Sequence, residues 1–510
     1  MSLEHPDKIK ICIILHAHLP FVCDSSRDLP LEEIWLYQNI AECYIPLVMM
    51  CNSLLKKNIQ PSIALSLSPT LITMLQQDYY KHRFKQWCLQ LCEFSDILKK
   101  HNRKAVKALH FYDAFITDRL HYIENNDVLD ELQYLACNNA VELLTTAATH
   151  PFMPLLRHFP YMMRLQIKLG IDTFYNRFGY KPDGFWLPEM GYCYGMDSYL
   201  IDENINYTIV NDKSILLSND VPRYGNFFPS VTKSGLMVLP RDTVLSMKIW
   251  SGQGYPRNPY YREFHRDALY ELQELSPTPD NTLLGLKIYA VTGSDDKKYY
   301  NPDCIPEIVS KQVDDFIDTI YKRSEQVANI TNKPPVFILP FDAELFGHWW
   351  FEGPLFLELL IEKIAQLHDV ELIMPSDLLG SECATVDLVE SSWGKQADFS
   401  TWYNPLVRRN AAMLDEIMYE FLQYVNLKNE MLYQCAREIL LAMASDWLFM
   451  ISTGSYTDYA GRRFSEHSDV ARTLLTMLNN NESNETLIHE RYKKYPIFPT
   501  IDRVLTQIEL

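Results

Sequence analysis

Short apolar runs recur along this chain, and four of them lead into histidines or carboxylates. The first occupies residues 9–15 and is followed at once by His16-Ala17-His18-Leu19-Pro20. A run this short and this apolar fits a strand buried on both faces, as in parallel sheets. Similar runs lie at 62–68, 141–146, 184–187, 207–210, 336–339 and 370–373, with helix-like stretches such as 33–58 and 84–140 between many of them. Strand–helix alternation sustained over this length predicts an α/β barrel or sheet. His16 with His18, His150, Glu189 and Asp342 stand just beyond four of the runs. In α/β barrels the active site is built at the C-terminal ends of strands.

At 510 residues the chain is too long for one ordinary core, so two or three domains or one elaborated barrel are expected. Residues 211–300 are rich in Pro, Gly, Tyr and Ser, with turn signals such as Gly252-Gln253-Gly254-Tyr255-Pro256. They read as a loop-rich insertion. Beyond about residue 400 the pattern is mostly helical, especially at 410–424 and 429–449. The expected division is a catalytic barrel over 1–400, with 211–300 inserted in it, and a C-terminal helical domain over 401–510.

The net charge of −18 argues against nucleic acid, which needs a basic surface, and against anionic membranes. It suits a neutral substrate. Eleven cysteines without CxxC pairs suggest reduced thiols and a reducing compartment. The first residues are polar, with no apolar signal core, and no run is long enough to span a bilayer. A cytoplasmic protein is the expectation; the oligomeric state is left open.

Two motifs carry the chemistry. In FWLPEMGY (185–192) an apolar strand is stopped by proline, and Glu189 follows among aromatic residues. An ordinary strand-end acid is the bland alternative. In PFDAELFGHWWFEG (340–353) three acids, one histidine and five aromatics crowd together. A packed core would not choose Asp342, Glu344 and His348 together, because buried charges need partners. The spacing matches neither HExxH nor a cysteine metal site, so direct acid/base work is favoured and no metal or cofactor is expected. Two carboxylates suffice for glycosidic cleavage: one attacks the anomeric carbon, the other protonates the leaving oxygen. An aromatic surround such as Phe341, Trp349 and Trp350 would raise the acid's pKa. His16 and His18 are candidates for hydrogen bonding to substrate. Trp393 and Trp402, in a loop rich in Gly, Ser and Asn, are candidate stacking platforms. Asp446 lies near the end of a helical run, where a structural role competes.

In order along the chain, HAHLPF (16–21), ATHPF (148–152), FWLPEMGY, PFDAELFGHWWFEG and ASDWLFMISTG (444–454) resemble the five motif regions of glycoside hydrolase family 57, most closely its 1,4-α-glucan branching enzyme group. SSWGKQADFSTWYNP (391–405) and GYPRNPYYREFHRD (254–267) resemble stretches of the same group. The resemblance implies a distorted (β/α)7 barrel, an inserted region and a C-terminal α-helical domain. It also implies a retaining mechanism without metal, with Glu189 as nucleophile and Asp342 as general acid/base. His16 and His150 match active-site histidines; Trp393, Trp402 and Asp446 match substrate-contacting positions. The implied reaction cuts an α-1,4 chain, of the kind found in amylose or glycogen, and passes it to a 6-hydroxyl. In branching members a mobile loop carries a tyrosine over the active site. Its counterpart here falls at 228–235 and reads Val231, and a family tryptophan is matched by Tyr270. Such a lid change would let water compete for the glycosyl-enzyme. An α-glucan hydrolase or a 4-α-glucanotransferase is therefore the alternative, followed by a weakly active glucan-binding protein. A metal enzyme of the polysaccharide deacetylase kind is a further one.

Overall fold

A computed structural model describes residues 8–24, 30–268 and 285–509. Its strands are β1 (Ile9–Ala17), β2 (Ile63–Leu67), β3 (Val141–Thr146), β4 (Gly184–Trp186), β5 (Tyr207–Val210), β6 (Ser230–Thr232), β7 (Met237–Pro240), β8 (Val336–Asp342), β9 (Val370–Leu372) and β10 (Ala384–Val386). Parallel pairing runs β8-β1-β2-β3-β4-β5-β7. The two ends of that path meet through a single parallel bridge between Arg241 and Ile338, where Asp242 N donates to Ile338 O at 2.9 Å. The result is a seven-stranded parallel barrel, fully laddered except at one seam. β9 pairs with the start of β1, and β6 and β10 extend the sheet beyond β7.

The two-residue period of a strand explains how this barrel makes a site. In β1, Ile11, Ile13 and Leu15 pack outward into the main core. Cys12 and Ile14 point inward, with Ala64, Leu144, Trp186, Ile209, Leu239 and Ile338 from neighbouring strands. Continuing the inward faces, by one step in most strands and by two from Ile338 in β8, brings His16, Ser66, Thr146, Arg241 and Asp342 to one end of the barrel. The apolar filling therefore gives way to polar chemistry at the C-terminal ends of the strands.

The region 211–300 is not a single insertion. β7 lies in its middle and is a barrel strand, with β6 antiparallel beside it. The turn Thr232-Lys233-Ser234-Gly235 joining them breaks up the apolar pattern from which a strand is read. The segment described from Trp250 onward is rich in turns.

The C-terminal helices Arg408–Leu422, Glu430–Ala442, Ser445–Thr453, Thr457–Asn479 and Glu485–Lys494 form a helical domain around a buried ionic centre. There Glu438 meets His467 at 2.7 Å and Arg491 at 2.8 Å. The domain is seated on the barrel rim. Ser445 N donates to His150 O at 2.9 Å, Thr149 Oγ1 to Leu440 O at 2.5 Å, and Arg463 to Phe21 O at 2.8 Å. No helix among the described residues is long and apolar enough to cross a membrane.

Candidate active site

Glu189 leaves the barrel on a strained turn. Pro188 ends the strand and opens one 3-10 turn, Pro188–Met190, in which Glu189 and Met190 both adopt positive φ (58° and 48°). Each such non-glycine conformation costs about 1–3 kcal/mol and persists only where surrounding contacts enforce it. Those contacts are on the carboxylate: Trp393 Nε1 donates to Oε2 and Ser445 Oγ to Oε1, both at 2.8 Å. Trp393 N also donates to Glu189 O at 3.0 Å. Burial raises the Glu189 carboxyl to about 7; the Trp393 and Ser445 bonds pull it down, and the Asp446 charge adds to the rise.

Behind Glu189 runs a chain of hydrogen bonds whose direction can be deduced. Ser445 Oγ gives its proton to Glu189, so it accepts from His150 Nδ1 at 3.0 Å. Burial, with the neighbouring histidines, holds His150 well below its ordinary pKa, so its other nitrogen is an acceptor. His16 Nε2 lies 2.9 Å from that nitrogen and must donate. His16, also held well below its ordinary value by burial and by His18, then accepts at Nδ1 from Ser66 Oγ at 3.0 Å. The proton order Ser66, His16, His150, Ser445, Glu189 is thus fixed. The His16 ring stacks flat on Trp186, with centroids 4.6 Å apart.

Asp342 ends β8 as the register partner of His16. No donor among the described residues reaches its carboxylate. Burial raises it well above the ordinary carboxylate range, the charges of Glu344 and Glu189 add to this, and Arg241 opposes them. Glu189 and Asp342 thus lie within each other's field. The first has two donors that favour the anion; the second has none among the described residues, and its burial favours the protonated form. Opposed environments of this kind divide two carboxylates into nucleophile and acid.

Aromatic rings lead outward from this pair. Trp186 meets Trp393 at 5.4 Å, Trp393 meets Trp250 at 5.7 Å, and Trp250 meets Trp349 at 5.9 Å. Trp186 is buried, Trp393 and Trp250 are partly exposed, and Trp349 is 39% exposed. His18 stacks on His150 at 3.8 Å and bonds Asp446 at 3.1 Å, and the charges of both His18 and Asp446 are felt at Glu189.

Trp402 departs from expectation. It is 1% exposed and stacks on Phe152 at 4.8 Å, so it packs the core instead of offering a free ring face. Tyr270 lies outside the described residues. His348 does not join Asp342 and Glu344; it bonds Glu42 at 3.2 Å in a separate buried cluster with Arg262. Ser445, Ser66, Arg241 and Trp250 were not singled out from sequence. The position of Ser445 beside Asp446, and an aromatic at Trp250 just before the Gly-Tyr-Pro turn, were the available signals.

His18, His150 and Asp446 offer ligand atoms within 4.8 Å of one another. The two imidazoles are stacked, however, so their in-plane lone pairs run side by side instead of converging on one ion. Both nitrogens of His150 are already bonded.

Residues 12–390 match the model of glycosyl hydrolase family 57. The chain belongs to that family. Residues 407–505 match the C-terminal region of 1,4-alpha-glucan branching enzymes. A 1,4-alpha-glucan branching enzyme of Thermococcus kodakarensis is 30% identical over 502 residues, spanning 90% of this chain and 72% of that protein. Among solved structures, an alpha-amylase of Thermotoga maritima superposes with a TM-score of 0.88 at 30% identity, over 99% of this chain and 100% of that one. A family 57 branching enzyme of Pyrococcus horikoshii gives 0.87 at 27% identity, over 98% and 96%.

Proposed function

We propose that this protein is a retaining 1,4-α-glucan branching enzyme in which Glu189 is the nucleophile and Asp342 the general acid/base. Asp342 gives its proton to the glycosidic oxygen while Glu189 attacks the anomeric carbon, leaving the donor chain covalently on Glu189. Asp342, now ionised, takes the proton of an incoming 6-hydroxyl, and the chain is transferred with its configuration retained. The observation that carries this reading is the asymmetry of the two carboxylates: two donors on Glu189, none on Asp342. The tryptophan path offers flat faces for successive sugar rings, and neutral His16 and His150 hold the floor of the site. Glu189→Gln removes turnover, because an amide does not form the covalent intermediate. Mass spectrometry of Asp342→Ala during turnover then finds a glycosyl adduct on Glu189; an adduct elsewhere would overturn the assignment.

One observation favours hydrolysis as a second reading. The segment matched to the family's lid is pinned into the sheet. Val231 pairs with Met237 on one side and Thr385 on the other. The turn beyond it is held by Ser234 on Asp197 and by Lys233 on Asp387 at 2.6 Å. A fixed hairpin does not close over the glycosyl-enzyme, and water then competes with the acceptor sugar. Counting new α-1,6 linkages against new reducing ends on amylose separates the two readings.

A further inference from the structure

Two residues beyond Asp342, Glu344 is 6% exposed, in the 3-10 turn Ala343–Leu345. A buried carboxylate requires partners. Its Oε1 accepts from Tyr44 OH at 2.6 Å and from the His18 backbone N–H at 3.0 Å. Tyr44 ends a π-helical turn, Ile40–Tyr44, set between the helices Leu31–Asn39 and Ile45–Lys56. A π-turn adds a residue and rotates the helix face that follows it. Here it turns three consecutive side chains onto the segment after Asp342: Glu42 to His348, Cys43 Sγ to Ala343 O at 3.0 Å, and Tyr44 to Glu344. The fit is close enough to need glycine at 347. Its φ is +128°, and a Cβ there would lie 1.8 Å from Glu42 O.

We propose that Glu344 is a positioning residue for the reaction: clamped by Tyr44 and the His18 amide, it carries the negative charge of a carboxylate pair and leaves the proton on Asp342. This rests on Asp342 being the general acid/base. Burial raises the Glu344 carboxyl to about 7, and the Tyr44 and His18 bonds pull it back toward the anion. Asp342 has no donor among the described residues, so of the two it is the better holder of a proton. The other groups around Asp342 are Glu189, Asp446 and Arg241, with neutral His16 on the next strand and His18 and Tyr44 beyond. Arg241 opposes the proton. After burial, Glu344 is the largest influence that retains it.

The test is the pH profile of kcat/KM for the full chain, on amylose and on an aryl α-maltoside whose leaving group needs little protonation. Glu344→Gln keeps an oxygen for Tyr44 and the His18 amide but removes the charge. Without that charge Asp342 gives up its proton at lower pH, so the basic limb on amylose moves to lower pH by about one unit. Well above the wild-type midpoint that is an approximately tenfold loss, with much less change on the aryl substrate. Tyr44→Phe, which weakens the anion of Glu344, moves the limb the same way by less. A Glu344→Gln profile lowered equally at every pH, or one with its basic limb in place, would overturn the proposal. If Asp342→Ala cleaves amylose as well as the wild type does, the acid assignment itself fails, and that outcome is separate. Should Glu344→Gln not fold, judged by circular dichroism, Tyr44→Phe decides alone.

Discussion

Replacing Ser445 by alanine removes the hydroxyl that lies 2.8 Å from Glu189 Oε1 and 3.0 Å from His150 Nδ1. A hydrogen bond to a charged group contributes about 1.5–3 kcal/mol. The lower figure applies, because Trp393 still donates to the other oxygen. One pKa unit corresponds to about 1.4 kcal/mol. Glu189, raised by burial to about 7, therefore moves up by about one further unit. The sign follows from the donor's role: a donor favours the carboxylate, so losing it favours the acid. At pH 7 the attacking, ionised fraction falls from about one half to about one tenth, a roughly fivefold loss in kcat/KM. The acidic limb of the profile shifts up by about one unit. Initial rates of amylose cleavage on both sides of neutrality measure this, and Trp393→Phe, which removes the other donor, shifts the limb the same way. A Ser445→Ala enzyme whose acidic limb stays in place while its rate falls evenly would refute the reasoning.

Trp250→Ala takes one face out of the aromatic path; KM for amylose rises several-fold while kcat changes less, as expected for lost binding shared by ground and transition states. An unchanged KM would remove Trp250 from the substrate path. Gly347→Ala forces a Cβ into Glu42 O and lowers stability by at least about 1–3 kcal/mol, read as a fall in melting temperature. In Glu438, burial pushes the carboxyl up but the His467 and Arg491 bonds outweigh it, so its folded pKa lies below its ordinary value. Its stabilisation is therefore present above the ordinary carboxylate range and lost as pH falls through the folded value. Glu438→Gln leaves Arg491 with Glu466 as its remaining carboxylate at 2.7 Å, so it costs less than the ~3–5 kcal/mol of a fully unpaired buried charge, and it narrows the gap to wild type on acidification, as followed by thermal melts.

Much of the barrel was legible because its strands are short, apolar and end in polar residues. The run at 9–15 and the carboxylates at 189 and 342 needed no partner to be noticed. β7 was hidden, since four residues beside a tight turn do not stand out from loop. Trp402 was misjudged for a related reason: its flanking Ser, Gly and Asn suggest exposure, and only the fold brings Phe152 over its ring. Trp250 caps the seven-residue helix Thr243–Ile249 inside a turn-rich stretch and was not singled out. The motif at 340–353 was read as one chemical cluster, yet the helix of residues 31–56 pulls His348 into a different buried network from Asp342. The π-turn Ile40–Tyr44 was missed because residues 33–58 read as one continuous helix-like stretch. What escaped sequence was long-range pairing; what did not was local punctuation.

The two donors to Glu189 come from different parts of the chain: Trp393 lies before the C-terminal match that begins at residue 407, and Ser445 lies within it. A family match that stops at 390 and another that begins at 407 invite treating the helices as an exchangeable module. Chimaeras spliced there would join a barrel to helices that had not been selected to complete the hydrogen bonds on Glu189. Keeping the Glu189 surroundings intact in such a chimaera therefore means moving Ser445, Asp446 and the rim they rest on together with the barrel loops, as one inherited unit.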